Sequence, residues 1–319
     1  MKWTLMVILA VALISACTTQ TEPSQTAGSP PSVDEFLGRW DVTVKGQDAD
    51  YPSWFEITRN AEGDLEGRFV GRVGSARSIT TLSIEGDTLA FSLPVQYESH
   101  PEDMAFQGTL ANGVLSGTTN AEDGSILQWS AFPAPSLERA GTPEWGEPID
   151  LLAGGIDEHW ELRHPGESKW VLRDGILENT AQGIDLVSKR EFQDFRLQLE
   201  FKCPEGSNSG IYLRGRYEVQ VQDGYGAAPN RTSIGSVYGF LTPSENASRP
   251  AGEWQTYEIT LVGRSVTVVL NGTTVLDQQE IPGITGGALD SNEEEPGPIM
   301  IQGDHGPISY RNISIIPAR

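Results

Sequence analysis

The run LQLEFK at residues 197–202 alternates strictly between apolar and polar side chains. Successive side chains of a β-strand point to opposite faces, so Leu197, Leu199 and Phe201 share one face and the polar residues share the other. A helix would instead space its apolar residues by three or four positions. The run therefore predicts a half-buried β-strand that covers a hydrophobic core.

Further strand patterns follow this run without any helical segment between them. YEITLV at residues 257–262 alternates in the same way, and VTVVL at residues 266–270 precedes an Asn271-Gly272 pair. Asn-Gly between two apolar runs is a typical β-hairpin turn. Many short strands without intervening helices predict a β-sandwich, which we assign to residues 149–319.

The first half of the chain predicts a smaller β domain over residues 34–135. Short strand patterns recur there between turn signals such as Asn112-Gly113, and no amphipathic helix of useful length is apparent. The pattern fits a small antiparallel β-barrel or sandwich, and GRW at residues 38–40 is similar to the first strand of lipocalin-like barrels. We interpret this half as an accessory domain without a ligand of its own. The proline-rich residues 136–148 form the predicted linker.

The N-terminus resembles the signal of a bacterial lipoprotein. Residues 1–16 combine Lys2 with an apolar run too short to span a bilayer, and Ile-Ser-Ala precedes Cys17 as in a lipobox. We expect cleavage before Cys17, its lipidation, and a flexible tether over residues 17–33. The protein is then expected in the bacterial cell envelope, held to the outer membrane or facing the periplasm, with membrane contact through the lipid alone. Cys203 would lack a disulfide partner, and its apolar surroundings predict a small buried residue.

Charge and composition exclude one class of partner. The 319 residues include 22 Lys and Arg against 44 Asp and Glu, which gives a formal net charge of −22. An acidic surface repels phosphate backbones, so no nucleic acid is expected as a partner. With 38% hydrophobic residues, 35 Gly and 20 Pro, the chain is too apolar for disorder and fits turn-rich β structure.

A polar face is predicted for NSGIYLRGRYEVQVQD at residues 208–223. Taken as one strand of period two, the segment places Ile211, Leu213 and Val219 on an apolar face. The opposite face carries Tyr212, Arg214, Arg216, Glu218, Gln220 and Gln222. Such a face fits either bulk solvent or a sugar, and the pattern alone leaves both interpretations open.

A second group of chemically capable residues is the turn that contains Asp304 and His305. Adjacent Asp and His side chains can relay a proton or bind a metal ion, and an Asp-capped turn with an exposed His is the alternative. The run EEE at residues 293–295 predicts a solvated acidic loop, with a divalent-cation site as a minor alternative. Whether a divalent cation serves as cofactor stays open.

The C-terminal half contains a series of short blocks: NSGIYLR (208–214), EVQ (218–220), GSVYG (235–239), GEW (252–254), LNG (270–272), IQGDHG (301–306) and YRNI (310–313). In order and spacing, these blocks resemble the family of 3-keto-disaccharide (3-keto-glucoside) hydrolase domains, formerly a domain of unknown function. The resemblance extends over residues 149–317.

This resemblance implies a concanavalin-like jelly roll of the laminin-G type and the cleavage of glycosides already oxidised at C3 of the sugar. A C3 ketone acidifies the C2 proton, so a base can remove that proton, the C1 substituent leaves by β-elimination, and water adds to the enone. The reaction needs a base, a positive group near the C3 oxygen and an acid for the leaving group. It does not need the carboxylate pair of ordinary glycosidases.

On this basis we assign roles to residues of the matching blocks. Glu218 is the expected base, or a cation ligand, because it is the only carboxylate on the polar face. Arg214 is expected to polarise the ketone or orient the sugar, and Asp304 with His305 to act as a second acid–base pair. Trp254 fits a stacking role or a place in the core equally well. The expected substrate-binding residues are Asn208, Gln220, Gln222, Tyr238, Trp254 and Gln302.

Two other functions stay open from the sequence alone. A non-catalytic carbohydrate-binding envelope lipoprotein would use the same sandwich, because fold does not fix function. A structural envelope protein would expose long apolar strands, which the pattern does not contain. The charged groups near the Asp-His turn favour the enzyme, whose oxidised substrate would require a partner sugar dehydrogenase to produce it.

Overall fold

The computed structural model describes residues 31–98 and 102–319. The signal peptide predicted at residues 1–16, the lipidation predicted at Cys17 and most of the tether predicted at residues 17–33 lie outside the described residues. Within the described part of the chain, no helix is both long enough and apolar enough to cross a membrane.

The regular secondary structure of the described residues is almost entirely β-strand, joined by turns and loops, and the predicted all-β class is confirmed. The helical elements among the described residues are a 3-10 turn at Val33–Phe36 and one short helix, α1, at Ile156–His159. The strands are β1 (Gly38–Lys45), β2 (Tyr51–Arg59), β3 (Leu65–Val70), β4 (Arg77–Ser78), β5 (Thr81–Glu85), β6 (Thr88–Leu93), β7 (Met104–Ala111), β8 (Val114–Asn120), β9 (Ile126–Pro133), β10 (Ile149–Asp150), β11 (Trp160–Leu162), β12 (Trp170–Arg173), β13 (Ile176–Asn179), β14 (Leu186–Phe192), β15 (Phe195–Lys202), β16 (Asn208–Leu213), β17 (Tyr217–Gln222), β18 (Trp254–Val262), β19 (Ser265–Leu270), β20 (Thr273–Glu280), β21 (Gly297–Ile301) and β22 (Ile308–Pro317).

Strands β1 to β9 form one antiparallel sheet that curls on itself, called the barrel-like sheet below. Its order is β4-β3-β2-β1-β9-β8-β7-β6-β5, so its two edge strands are neighbours in sequence. The two residues between them join both ends of the sheet, because Ile79 N–H donates to Gly67 O (2.9 Å) and Thr80 N–H donates to Ser92 O (2.8 Å). Curling in this way covers the edges and encloses a core. The core is rich in aromatic rings: Phe36, Trp40, Phe55, Phe69, Phe91, Phe106 and Trp129.

Strands β10 to β22 form the two sheets of the sandwich. One sheet has the order β12-β13-β22-β15-β18-β19-β20, with β10 paired to β22, and the other has the order β11-β14-β21-β16-β17. Residues 197–202 lie in β15, where Leu197, Leu199 and Phe201 are buried as predicted. Cys203 is buried in the same core, also as predicted. The linker predicted at residues 136–148 lies between β9 and β10, and the domain boundaries drawn there stay a prediction.

The barrel-like sheet shares part of its packing with the sandwich. Trp54 and Val70 of the barrel-like sheet, together with Ala76 just before β4, belong to the hydrophobic core of the sandwich. Trp54 packs edge-on against Phe240, with ring centroids 5.3 Å apart. A Cβ atom at Gly283 would lie 2.2 Å from the Trp54 indole nitrogen, so only glycine permits this close approach.

A buried charge cluster lies where β1 meets the sandwich. Glu293 is fully buried, and its carboxylate accepts hydrogen bonds from Arg264 (2.7 and 2.6 Å) and from the Tyr217 hydroxyl (2.7 Å). The solvated acidic loop predicted at residues 293–295 is therefore wrong for Glu293, because an internal arginine neutralises its charge. Asp41 on β1 interacts with this carboxylate, and burial together with the charge of Glu293 raises the pKa of Asp41 to about 9.

We expect Asp41→Asn to remove one pH-dependent loss of stability. The Asp41 carboxyl holds a proton in the folded state that it releases on unfolding, since its pKa falls from about 9 to 3.8. Stability should therefore fall as pH rises through this window, by up to ~1.4 kcal/mol per pH unit from this group. Thermal unfolding between about pH 6 and pH 8.5 should show a shallower decline of Tm for Asp41→Asn than for the wild type.

The matched control for this experiment is Asp48→Asn, because Asp48 is an exposed carboxylate near the same strand. Its decline of Tm with pH should follow the wild type. An equally steep decline in Asp41→Asn would contradict the account of a proton buried between the two carboxyls.

Candidate active site

A cleft of about 840 Å³ lies where the sheet β11-β14-β21-β16-β17 meets the barrel-like sheet. The β16–β17 hairpin contributes Asn208, Tyr212, Glu218 and Gln220 to its lining. Other lining residues are Tyr238, residues of the loops after β11, before β14 and on both sides of β21, and three segments of the N-terminal half. The cleft therefore combines polar groups from elements that are distant in sequence.

The hairpin forms because the segment at residues 208–223 is interrupted at Arg214 and Gly215, which have φ angles of 53° and 66°. The prediction of one continuous strand is therefore wrong, since a left-handed pair reverses the chain. The register pairs Tyr212 with Glu218, so even-numbered residues of both strands still share one face. The predicted polar face is thus kept within the two strands, whereas the residues of the turn leave it.

Glu218 lies in the lining of the cleft but is only 5% exposed. Its Oε2 accepts a hydrogen bond from the Tyr212 hydroxyl (3.1 Å), and its Oε1 accepts one from the Gln220 amide (3.1 Å) when that amide nitrogen faces it. Burial raises the pKa of Glu218 to about 8, while the Tyr212 hydrogen bond and the nearby His305 oppose the rise. A carboxyl with this pKa can exchange protons near neutral pH.

The Tyr212 hydroxyl can serve both protonation states of Glu218. It has one proton and two neighbouring acceptors, Glu218 Oε2 at 3.1 Å and Gly286 O at 2.9 Å. A protonated Glu218 can donate to the Tyr212 oxygen while Tyr212 donates to Gly286. After ionisation, the hydroxyl can turn to donate to the carboxylate, so neither state leaves the acid without a partner.

Two acid–cation pairs line the cleft beside Glu218. Asp304 Oδ1 and His305 Nδ1 are hydrogen-bonded on the turn after β21, and this bond, opposed by partial burial, raises the pKa of His305. Asp185 is buried and accepts hydrogen bonds from Gly303 N (2.9 Å) and Arg163 Nη1 (3.1 Å). The cleft thus holds an imidazole that favours its protonated form and a guanidinium fixed by a buried carboxylate.

The residues predicted to bind substrate are partly brought together. Asn208, Gln220, Tyr238 and Gln302 all line the cleft with Glu218. The backbone N–H of Tyr238 donates to Glu218 O at 2.9 Å. Gln302 Oε1 is buried and has no hydrogen-bond partner among the described residues. An unsatisfied buried acceptor beside a polar cleft is suited to a hydroxyl of a ligand.

The structure does not bring Arg214, Gln222 or Trp254 to the cleft. Arg214 belongs to the left-handed turn, and its guanidinium is fully buried and donates to Gly263 O at 2.5 Å. The ketone-polarising role predicted for Arg214 does not fit this position. Gln222 is the last residue of β17. Trp254 lies on the other sheet, where the Arg311 guanidinium stacks 4.0 Å from its ring centroid.

Arg163 and Asp185 are two site residues that were not predicted from the sequence. Arg163 directly follows β11 and Asp185 directly precedes β14, and the pairing of these strands places the two side chains together. Neither residue stands in a recognisable motif, so only the pairing could have revealed them. Among residues 31–98 and 102–319, no three or more His, Cys, Asp or Glu side chains are arranged to hold a metal ion.

Comparison with known proteins gives matches to sugar-active proteins. Residues 147–316, more than half of the chain, match the family described as the 3-keto-alpha-glucoside-1,2-lyase-like domain. A curated protein of Bacteroides thetaiotaomicron named 3-keto-disaccharide hydrolase is 26% identical over 145 residues, which cover 34% of this chain and 50% of that protein. The chain therefore spans about half the length of this curated relative.

Two solved structures from Parabacteroides distasonis, both provisionally described as glycosyl hydrolases, are also similar. The first is 29% identical, with a TM-score of 0.46, and the match covers 56% of this chain and 92% of that one. The second is 24% identical, with a TM-score of 0.43, and the match covers 53% of this chain and 98% of that one.

Gly210 leaves the space that the Glu218 carboxyl occupies, because a Cβ atom there would lie 2.3 Å from Glu218 Oε1. We expect Gly210→Ala to displace the carboxyl and lower the free energy of unfolding by about 1–3 kcal/mol. Chemical denaturation measures this loss. In the Glu218→Ala background the added methyl group should be tolerated, so the same substitution should cost much less. An equal loss in both backgrounds would show that the methyl group clashes elsewhere.

Proposed function

Because the chain belongs to the 3-keto-alpha-glucoside-1,2-lyase-like domain family, we propose that it cleaves glycosides whose sugar carries a ketone at C3. The observation that best supports this proposal is Glu218, a buried carboxyl with a pKa of about 8 in a cleft lined by hydrogen-bonding groups. Such a carboxylate is a stronger base than an ordinary one and suits a carbon acid such as the C2–H group beside a ketone. The name of the relative from Bacteroides thetaiotaomicron agrees with this substrate class.

The proposed reaction has two stages. In the first, Glu218 takes the C2 proton, the electron pair of that C–H bond forms the C1–C2 double bond, and the C1–oxygen bond breaks. The leaving oxygen accepts a proton from the imidazolium of His305, since the hydrogen bond to Asp304 raises the pKa of His305 and favours the protonated form. In the second stage, water adds to the enone: the neutral imidazole of His305 takes one proton of the water, the remaining hydroxyl bonds to C1, and the proton held by Glu218 returns to C2. The sum is hydrolysis of the glycosidic bond.

Arg163 replaces Arg214 as the group proposed to stabilise the developing charge on the C3 oxygen. Its guanidinium is 34% exposed in the cleft and is oriented by the buried Asp185. A positive group that is already fixed before the reaction stabilises an enolate without reorganisation. Asn208 and Gln302 are proposed to bind sugar hydroxyls, and the unpaired Gln302 Oε1 is the specific acceptor for one of them.

The reaction class is tested with the purified chain, a 3-keto disaccharide and its unoxidised parent, each with and without a chelator. We expect release of 3-keto-glucose from the oxidised substrate only, because only the ketone acidifies C2. Loss of activity with chelator would identify a divalent cation as a requirement. Sugar binding without release from either compound would overturn the proposal in favour of a non-catalytic carbohydrate-binding protein.

We expect Glu218→Gln to lower kcat by at least about a hundredfold, because general-base catalysis contributes on this scale. The amide keeps the shape of the side chain but cannot accept the C2 proton. Glu258→Gln is the control, since Glu258 is exposed on β18 of the other sheet. Circular dichroism should show that both variants fold. A kcat within a few-fold of the wild type in Glu218→Gln would remove Glu218 from the role of base.

We also propose that the protein acts in the bacterial cell envelope, anchored through Cys17, and that a sugar dehydrogenase supplies its substrate. The first part is supported by the sequence of residues 1–17 alone. The second follows from the chemistry, because a C3 ketone must be made by oxidation. Metabolic labelling with a fatty-acid analogue, in the wild type and in Cys17→Ser, tests the anchor.

A further inference from the structure

We infer that the barrel-like sheet supplies the subsite for the sugar ring that leaves during cleavage. The inference rests on the proposed function and extends it to residues outside the family match at residues 147–316. Residues 49–52, residues 72–74 and Tyr97 line the cleft together with Glu218, and we call these three segments the N-terminal wall. The sequence of residues 34–135 alone indicates no ligand for this half of the chain.

The N-terminal wall is joined to the proposed base by a short series of contacts. The Glu218 carboxyl is hydrogen-bonded to the Tyr212 hydroxyl, which also lies 2.9 Å from Gly286 O. The next residue, Gly287, donates its N–H to Arg72 O at 2.9 Å. A Cβ atom at Gly286 would lie 2.2 Å from Gly74 O, so the two segments touch without any intervening side chain. The wall is therefore fixed relative to the carboxyl that would take the C2 proton.

Tyr97 is an exposed aromatic residue on a loop that is held by buried polar contacts. Its own side chain is 64% exposed. On one side of it, Gln96 Oε1 accepts a hydrogen bond from Ser75 N at 2.9 Å. On the other, Glu98 forms a two-point ion pair with Arg77, at 3.0 and 2.6 Å, and both side chains are nearly buried. These contacts hold in place a loop whose large side chain faces the cleft.

The chemistry of the wall suits a sugar ring better than an apolar aglycone. The Tyr97 side chain interacts with that of Tyr238. The Arg72 guanidinium lies 5.7 Å from the ring centroid of Tyr51. Within the described residues, the Arg72 guanidinium forms no ion pair and donates no hydrogen bond, so its N–H groups in the cleft are available to a ligand. Aromatic faces with hydroxyl and guanidinium groups at their edges match the apolar faces and hydroxyl rim of a hexose. Arg163, Asn208 and Gln302, the groups proposed to hold the oxidised ring, all come from the sandwich, so the ring held by the N-terminal wall of the same cleft is the leaving group.

The experiment compares two substrates that share the 3-keto-glucosyl group: a 3-keto disaccharide and the methyl 3-keto glucoside. In Tyr97→Ala, we expect kcat/KM to fall about tenfold for the disaccharide, the effect of losing ~1.4 kcal/mol of contact, and to stay unchanged for the methyl glucoside. Tyr97→Phe should retain most of the disaccharide activity, since it keeps the ring. Tyr225→Ala is the control, because Tyr225 is 62% exposed and does not line the cleft.

Each outcome separates the subsite from the proposed function. Equal losses on both substrates, or no loss on either, would overturn the subsite while leaving the reaction intact. Failure of the wild type to cleave any 3-keto substrate would instead remove the proposed function. In that case, saturation-transfer NMR with the unoxidised disaccharide gives a second readout: loss of its signal in Tyr97→Ala but not in Tyr225→Ala supports sugar binding at the wall, and equal signals in both variants overturn it.

Discussion

The carboxyl of Glu218 is almost closed off from water, and the arrangement of the cleft depends on that burial. Burial raises the free energy of a charged carboxylate unless hydrogen bonds stabilise it. The pKa of Glu218 therefore rises to about 8. The Tyr212 hydroxyl, the Gln220 amide and the absence of a side chain at Gly210 all serve this one group. The burial that makes the negative charge costly also raises the proton affinity of the Glu218 carboxylate, and a base needs a high proton affinity to deprotonate a carbon acid.

The parts of the fold that depend on local alternation were predictable from the sequence. Residues 197–202 form the expected buried strand, and Glu218 and Gln220 keep the polar face assigned to them, because register conserves parity across the hairpin. The prediction that Arg214 shares this polar face is wrong for a local reason, since the left-handed turn removes Arg214 from the face. A positive φ at a non-glycine residue leaves no signal in the alternation of side chains.

The other missed features depend on contacts between distant segments. Arg163 meets Asp185 only because β11 pairs with β14, and Glu293 is buried only because Arg264 and the Tyr217 hydroxyl reach it. The barrel-like sheet lines the cleft because its Trp54 packs into the core of the sandwich. None of these contacts follows from a pattern within one segment. Because of these contacts, residues from both halves of the chain line the cleft.

The central claim is that the cleft removes a proton from C2, and hydrogen–deuterium exchange tests it without cleavage. The substrate is a 3-keto C-glycoside, in which a carbon–carbon bond replaces the C1–oxygen bond, followed by NMR in deuterated water. We expect the wild type to exchange the C2 proton and spare the C4 proton, which also flanks the ketone, at a rate that rises through pH about 8 as Glu218 ionises. No exchange above the buffer rate, or equal exchange at C2 and C4, would contradict the account.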